Sequence, residues 1–224
     1  MRPFLSLLAI TTMLACGPCA MAQPKPPVLP EAAAAAQQAL FEAIERDEAP
    51  ELERLIKLGV HLSARNEDGE PALYVAAEKG SVSVLRKLIE ARSDPRVRTR
   101  NGETALHAAA MQGDPEFAHL LLQAGAEPNS MNLNGETPLA WAAMTGTLLA
   151  AQALIEQGAL IQSADENGNT PLHGAAKAGN LDMVRYLLER KARPALRNRD
   201  GKTPYDLAME RGYPEVAKLL APPR

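Results

Sequence analysis

Cysteine and aromatic residues are scarce in this 224-residue chain, and charge of neither sign dominates it. Both cysteines, Cys16 and Cys19, lie near the amino terminus. Aromatic residues make up only 4% of the sequence, so we expect alanine and leucine to form the core. The formal net charge is -3, which provides no basic field for nucleic acid and no acidic excess typical of disorder.

Sequence patterns for catalysis are also missing. The chain shows no Gly-rich phosphate loop, no nucleophile elbow and no Cys–His arrangement. A catalytic pair of carboxylates needs a pocket that shifts its pKa values, whereas the clustered carboxylates of this chain lie beside predicted turns. We therefore expect no enzyme activity, no metal or cofactor site and no small-molecule substrate.

The chain does contain two ladders of glycine, and both have an interval of 33 residues. Asn-Gly and Asp-Gly pairs favour tight turns, and a single glycine favours the end of a helix. A fixed period of this size predicts a stack of similar structural units. The first ladder consists of Asp68-Gly69, Asn101-Gly102, Asn134-Gly135, Asn167-Gly168 and Asp200-Gly201, and the second of Gly80, Gly113, Gly146, Gly179 and Gly212.

Each period also predicts two helices. A threonine, often followed by proline, begins the first helix after the turn, as in Thr137-Pro138 and Thr170-Pro171. The second glycine ladder should end this helix, with Asp47 in the glycine position of the first unit. Leucine recurs in register in the second helix, at Leu88, Leu121, Leu154, Leu187 and Leu220.

This pattern resembles the ankyrin repeat, in which G-x-T-P-L-H-x-A-A is followed by a glycine, Leu-Leu and Gly-Ala. The resemblance covers residues 67–221 and implies an all-α repeat, an α-solenoid of about six helix-turn-helix repeats with β-turn fingers. We place an amino-terminal capping repeat at 37–66, repeats at 67–99, 100–132, 133–165 and 166–198, and a carboxyl-terminal capping repeat at 199–221. Some positions depart from the pattern, such as Pro71 in place of Thr and Ala140 in place of His.

Residues 1–22 have the layout of a secretory signal peptide. Arg2 precedes an apolar run, and Ala20 and Ala22 lie at the two positions that a signal peptidase reads. The apolar run is too short for a permanent membrane-spanning helix. Cleavage after Ala22 would remove both cysteines and would leave a Pro/Ala-rich linker at residues 23–36. An alternative stays open, in which residues 13–16 act as a bacterial lipoprotein signal and Cys16 is lipidated, although Met13 and Leu14 fit that signal poorly.

The histidines do not suggest a metal site. His107 and His173 occupy equivalent positions two repeats apart, which corresponds to about 16–20 Å between packed helices. A metal ion lies only about 2 Å from each ligand, so these two side chains cannot share one. The resemblance implies a local role for both, in which they hydrogen-bond at the helix start. His61 and His119 have no partner in the sequence that would indicate zinc.

The resemblance implies a concave groove, lined by the turns and the exposed side of the first helices. Trp141, the only tryptophan, lies at a position where the other repeats carry smaller residues, so two interpretations are open: it contacts a partner or it packs between repeats. Arg92, Arg96, Arg98 and Arg100 form a basic run that either is solvated or contacts an acidic partner. Our candidate partner-binding residues are Arg100, Glu103, Met111, Gln112, Leu133, Glu136, Trp141, Met144, Thr145, Asn169 and Lys177.

Together these features predict a non-enzymatic interaction module of the bacterial periplasm. We expect a monomer that binds a protein partner, either an envelope enzyme or a toxin, and that binds no nucleic acid. The alternative is a scaffold of the cell envelope, anchored to the membrane through a lipid on Cys16.

Overall fold

The computed structural model describes residues 30–221. This part of the chain forms twelve α-helices, and its only β-type pairing consists of two isolated bridges, Arg65–Pro71 and Arg98–Thr104. None of these helices combines the length and apolar character needed to cross a membrane. The helices are α1 Pro30–Glu45, α2 Ala49–Lys57, α3 Ala72–Lys79, α4 Val82–Glu90, α5 Ala105–Ala110, α6 Glu116–Gln123, α7 Pro138–Thr145, α8 Leu148–Glu156, α9 Pro171–Ala178, α10 Leu181–Glu189, α11 Pro204–Arg211 and α12 Pro214–Leu220.

The helices pack as consecutive pairs, from α1 with α2 to α11 with α12. The first helices of the pairs contact one another in an unbroken row, α1, α3, α5, α7, α9 and α11. The second helices form an outer layer, in which α2 contacts α4, α4 contacts α6, α6 contacts α8, and α10 contacts α12. This arrangement confirms the predicted all-α repeat solenoid.

The core lies between the two layers and repeats with the sequence. The predicted leucine column of the second helices is buried throughout, with exposure of 0% at Leu121 and 3% at Leu220. Alanines such as Ala109 and Ala142 are buried in the first helices, where small side chains let neighbouring helices approach closely. Alanine and leucine therefore provide most of the core, as the scarcity of aromatic residues predicted.

The first glycine ladder forms the turns. Gly102 has φ +79°, and its N–H donates to the Thr99 carbonyl at 3.1 Å. A Cβ at Gly102 would lie 3.1 Å from the backbone nitrogen of Leu133 in the next turn. That nitrogen donates to the Asn101 carbonyl at 2.8 Å, so adjacent turns are joined edge to edge and leave no room for a side chain here.

The second glycine ladder behaves as predicted at four of its five positions. Gly80, Gly146, Gly179 and Gly212 end their helices with positive φ. The prediction is wrong for Gly113, which does not have positive φ, because α5 already ends at Ala110. Three non-glycine residues adopt the left-handed conformation elsewhere: Asp47, as predicted, and Arg92 and Lys191, which replace glycine after the second helix.

The start of α1 also differs from the predicted boundary. The helix begins at Pro30, so residues 30–36, which we assigned to the linker, are helical. A run of five alanines after Glu31 explains this result, since alanine has the highest helix propensity. The predicted signal peptide, with Ala22 and Cys16, lies outside the described residues.

Candidate functional site

The turns of the concave face are held by a polar ladder that we did not predict. Asn132 accepts hydrogen bonds through Oδ1 from the N–H groups of Asn134 at 3.0 Å and Glu136 at 2.9 Å. Such short side chains stabilise turns by bonding to nearby backbone groups. The signal was present in the sequence, because the equivalent positions with the same 33-residue interval are Asn66, Thr99, Asp165 and Asn198.

His107 connects two successive units. Its Nδ1 accepts from the Thr104 N–H at 3.0 Å, and its Nε2 lies 3.1 Å from the Glu136 carbonyl of the next turn. Because a backbone N–H can only donate, the ring proton lies on Nε2, which donates to that carbonyl. The side chain is completely buried, and burial lowers the pKa of His107 to about 4.

His173 repeats this arrangement with Thr170 and the Lys202 carbonyl, and burial again lowers its pKa. The implied local role of both histidines is confirmed. Neither ring nitrogen of these two side chains is left over for a metal ion or for catalysis.

Glu136 fixes the position of Trp141. Its Oε2 accepts from the Trp141 indole N–H at 3.1 Å and from Asn132 Nδ2 at 2.8 Å. The indole ring also lies edge-on to His107, with ring centroids 5.3 Å apart. Trp141 packs against the core on one side, as the second interpretation predicted, and remains partly exposed on the other, so its contact with a partner stays a prediction.

The exposed side of Trp141 contributes to an open depression with a volume of about 270 Å³. Met111 and Met144 lie on it with 49% and 42% of their surface exposed. All five lining residues, Met111, Glu136, Trp141, Met144 and Thr145, belong to the predicted set.

A second depression adjoins the first and shares Glu136 and Met144 with it. It lies at Gly174, the position equivalent to Trp141 in the following unit. A Cβ on Gly174 would lie 2.9 Å from Cγ of Met144, so the methionine leans onto the glycine. The predicted residues Asn169 and Lys177 also line this depression.

The two side-chain amides among the predicted binding residues, Gln112 and Asn169, already form hydrogen bonds within the fold. Gln112 Nε2 donates to the carbonyls of Ala77 and Glu78 at 3.0 Å each, at the end of α3. Asn169 donates to Asp165 and accepts from Asn198. Because these amides are occupied, they are less available to a partner than the sequence pattern suggested.

The remaining predicted residues are spread along the turns. Arg100 lies over the preceding turn, where a Cβ on Gly69 would meet its side chain. Glu103 accepts from Thr99 Oγ1 at 3.0 Å, and Leu133 is 68% exposed at a turn tip, outside both depressions. Lys177 is exposed at the end of α9.

The basic run has mainly structural contacts. Arg98 donates to the carbonyls of Gly102 at 2.9 Å and Met131 at 2.6 Å, and Arg65 makes the equivalent bonds one unit earlier. Arg96 pairs with Asp94 at 3.1 Å. Arg65 and Arg98 connect neighbouring turns and Arg96 is paired within its own loop, so these side chains are poorly placed to form a separate patch for an acidic partner.

A second group of titratable side chains lies around Tyr74. Over residues 30–221, no group of three histidine, cysteine or acidic side chains is arranged to hold a metal ion. Burial raises the pKa of the Tyr74 hydroxyl, and the negative charge of Glu103 beside it adds to the effect. Burial also raises the pKa of Glu78, and the neighbouring Glu70 carboxylate contributes.

The fold and the turn geometry define a helical repeat protein. A family model described as ankyrin repeats (three copies) matches residues 40–132, 80–165, 106–198 and 160–223. The chain therefore belongs to the ankyrin-repeat family, which in general forms non-enzymatic scaffolds for protein–protein interaction. The matched segments overlap, so the count of about six repeats stays a prediction. A search of curated proteins found no match.

Proposed function

We propose that this protein is an exported, non-enzymatic binding protein that holds a protein partner in its concave groove. The observation that carries the proposal is the depression at Met111, Trp141 and Met144, where three large apolar side chains are partly exposed together. Tryptophan is enriched among residues that dominate binding energy, and methionine adapts to the shape of a partner.

The contacts of Trp141 support a binding role. Its indole N–H is satisfied by Glu136, so the ring is held in one orientation before any partner arrives. A side chain that is already ordered loses little conformational entropy on binding. A rigid aromatic ring beside two flexible thioethers suits the capture of an apolar side chain from another protein.

The proposed location rests on the sequence alone. The signal peptide at residues 1–22 supports export, and a cell envelope offers enzymes or toxins as partners. The alternative, a lipid-anchored scaffold, has the same groove but keeps the protein at the membrane through Cys16. Mass spectrometry of the mature amino terminus separates the two: Gln23 at the terminus supports the exported form, and a diacylated Cys16 supports the anchored one.

The binding role is tested by replacing Met111, Leu133 and Trp141 together with serine and measuring retention of proteins from a periplasmic extract. We expect capture to be lost while the helical circular dichroism is kept. Leu149→Ser with Leu160→Ser is a matched control, because these side chains are 51% and 60% exposed on and after the outer helix α8. Unchanged capture by the triple variant would refute the groove as the binding surface.

A further inference from the structure

One column of equivalent side chains along the groove changes from acidic to apolar to basic from one unit to the next. Glu78, Met111, Met144 and Lys177 are separated by 33 residues each. They lie at the ends of α3, α5, α7 and α9, which contact one another in that order. The apolar depression therefore has a carboxylate on its amino-terminal side and an ammonium group on its carboxyl-terminal side.

The amino-terminal side is strongly acidic. Glu70, Glu78 and Glu103 all act electrostatically on the Tyr74 hydroxyl and raise its pKa, in addition to the larger effect of burial. Burial and the charge of Glu70 raise the pKa of Glu78, while the adjacent Lys79 partly opposes this effect. Because Glu70 and Glu103 both contribute to the raised pKa of Glu78, the negative charge is a feature of this surface and not of a single side chain.

These three carboxylates form no ion pair within residues 30–221. The carboxylates of Glu70 and Glu103 accept hydrogen bonds from neutral side chains, Asn66 at 2.8 Å and Thr99 at 3.0 Å. Other acidic residues of the chain do pair, as Glu51 does with Arg54 at 2.6 Å. A partner that brings a cation to Glu70, Glu78 and Glu103 would add to the partial compensation that Lys79 provides and would form an ion pair that the fold does not.

Resting on the proposed function, we infer that the partner presents an extended segment in which a lysine or arginine lies three to five residues from a large apolar side chain. The apolar side chain occupies the depression at Met111, Trp141 and Met144, and the cation lies over Glu70, Glu78 and Glu103. Adjacent helices pack about 8–10 Å apart, so the two positions are separated by roughly 8–15 Å. An extended chain covers that distance in about three to five residues, at about 3.3 Å per residue.

A random twelve-residue peptide library, displayed on phage and selected against the purified protein, tests the inference. We expect the selected peptides to be enriched in a basic residue three to five positions from Trp, Phe, Leu or Met. Binding of a selected peptide should weaken as the salt concentration rises, because exposed charges are screened.

Charge variants of the protein then test the contact between the basic residue of the peptide and Glu78. Glu78→Lys should lower the affinity for a selected peptide about tenfold, since it replaces attraction with repulsion at the surface of the groove. Glu78→Gln, which only removes the charge, should lower the affinity about threefold. Replacing the basic residue of the peptide by glutamate should restore binding to the Glu78→Lys variant. Glu127→Lys is the matched control, because it makes the same charge change at an exposed position in the loop after α6.

The outcomes distinguish this inference from the proposed function. The inference would be overturned if the selected peptides showed no preference for a basic residue and bound the Glu78→Lys variant as well as the wild type. If the same peptides failed to bind a Met111→Ser, Met144→Ser variant, the groove would still stand as a binding surface. A failure of the wild-type protein to select any peptide would count against both. Equal weakening by Glu78→Lys and Glu127→Lys would also overturn the inference, because it would reflect net charge alone.

Discussion

The units built on α5 and α7 carry the same glycine 33 residues apart, yet they use it differently. In the α7 unit, Gly146 has φ +80° and ends the helix, as the repeat pattern requires. In the α5 unit, the helix ends three residues before Gly113, at Ala110, and Gly113 does not have positive φ. An identical residue in an identical register therefore does not guarantee an identical backbone.

Polar side chains from the following unit bond to the last carbonyls of the first helices in both units. Asn180 Nδ2 donates to the carbonyls of Ala143 and Met144 at the end of α7, and Thr147 Oγ1 donates to the Ala110 carbonyl at the end of α5. Within the α5 unit, Gln112 reaches back to the end of α3. Each of these first helices is thus capped by a polar side chain of the following unit, and the early end of α5 places Met111 on the surface beside Trp141.

The largest expected effect concerns His107, which the α5 unit has and the α7 unit replaces with Ala140. We expect His107→Ala to lower the free energy of unfolding by about 3 kcal/mol, because it leaves a cavity and removes the partners of the Thr104 N–H and the Glu136 carbonyl. Urea denaturation measures the change. His119→Ala, at an exposed position of α6, is the control and should change it by less than about 0.5 kcal/mol. Equal losses in the two variants would show that the bridging bonds contribute nothing.

Lowering the pH should reduce the free energy of unfolding through the same residue. The pKa of His107 is about 4 in the folded protein, against 6.5 for a free histidine, so between these values the unfolded chain binds the proton and the folded protein does not. Stability is therefore lost as the pH falls below about 6.5, by about 2 kcal/mol at pH 5. The difference in unfolding free energy between wild type and His107→Ala should narrow by that amount from pH 7 to pH 5. A constant difference across this range would contradict the lowered pKa.

Alanine substitutions of Gly146 and Gly113 directly test the comparison between the α7 and α5 units. Gly146→Ala should destabilise the protein by about 1.5 kcal/mol, because alanine is strained at φ +80°. Its Cβ would also lie 3.0 Å from Asn180 Oδ1 and disturb the cap of α7. Gly113→Ala should instead be neutral or stabilise by up to about 0.5 kcal/mol, because no atom lies within 4 Å of the new Cβ. Thermal and urea unfolding would reject this distinction if both substitutions were equally costly.

The sequence predicted the periodic part of this structure well, for a physical reason. Turns such as Asn101-Gly102 and buried positions such as Leu121 depend on local conformation and burial, both of which repeat with the chain. The early end of α5 could not be predicted, because its Ala108-Ala109-Ala110 segment favours helix and nothing local stops it. The carbonyl of Ala110 at this end accepts a hydrogen bond from Thr147 of the following unit, a contact that the sequence of α5 alone does not reveal.

The candidate site was predicted only in outline. Variation among repeats singled out Met111, Trp141 and Met144, and the structure brings them together around one depression. The bond from Trp141 to Glu136 and the close approach of Met144 to Gly174 depend on side-chain directions, which a repeat pattern does not encode. For the same reason, the pattern suggested Gln112 and Asn169 as binding residues although their amides are already engaged.

The smallest effect on stability is expected where we propose binding, at the methionines that the α5 and α7 units expose. Met111→Ser with Met144→Ser should change the free energy of unfolding by less than about 0.5 kcal/mol per site, since the two residues keep 49% and 42% of their surface exposed in the folded protein. Met183→Ser is the matched substitution in the core, where the side chain is 1% exposed, and should cost about 3 kcal/mol. If the double variant instead loses as much stability as Met183→Ser, the depression belongs to the packing between repeats. If it keeps its stability and loses peptide binding, the exposed methionines act in recognition, and the difference between the two units is functional as well as structural.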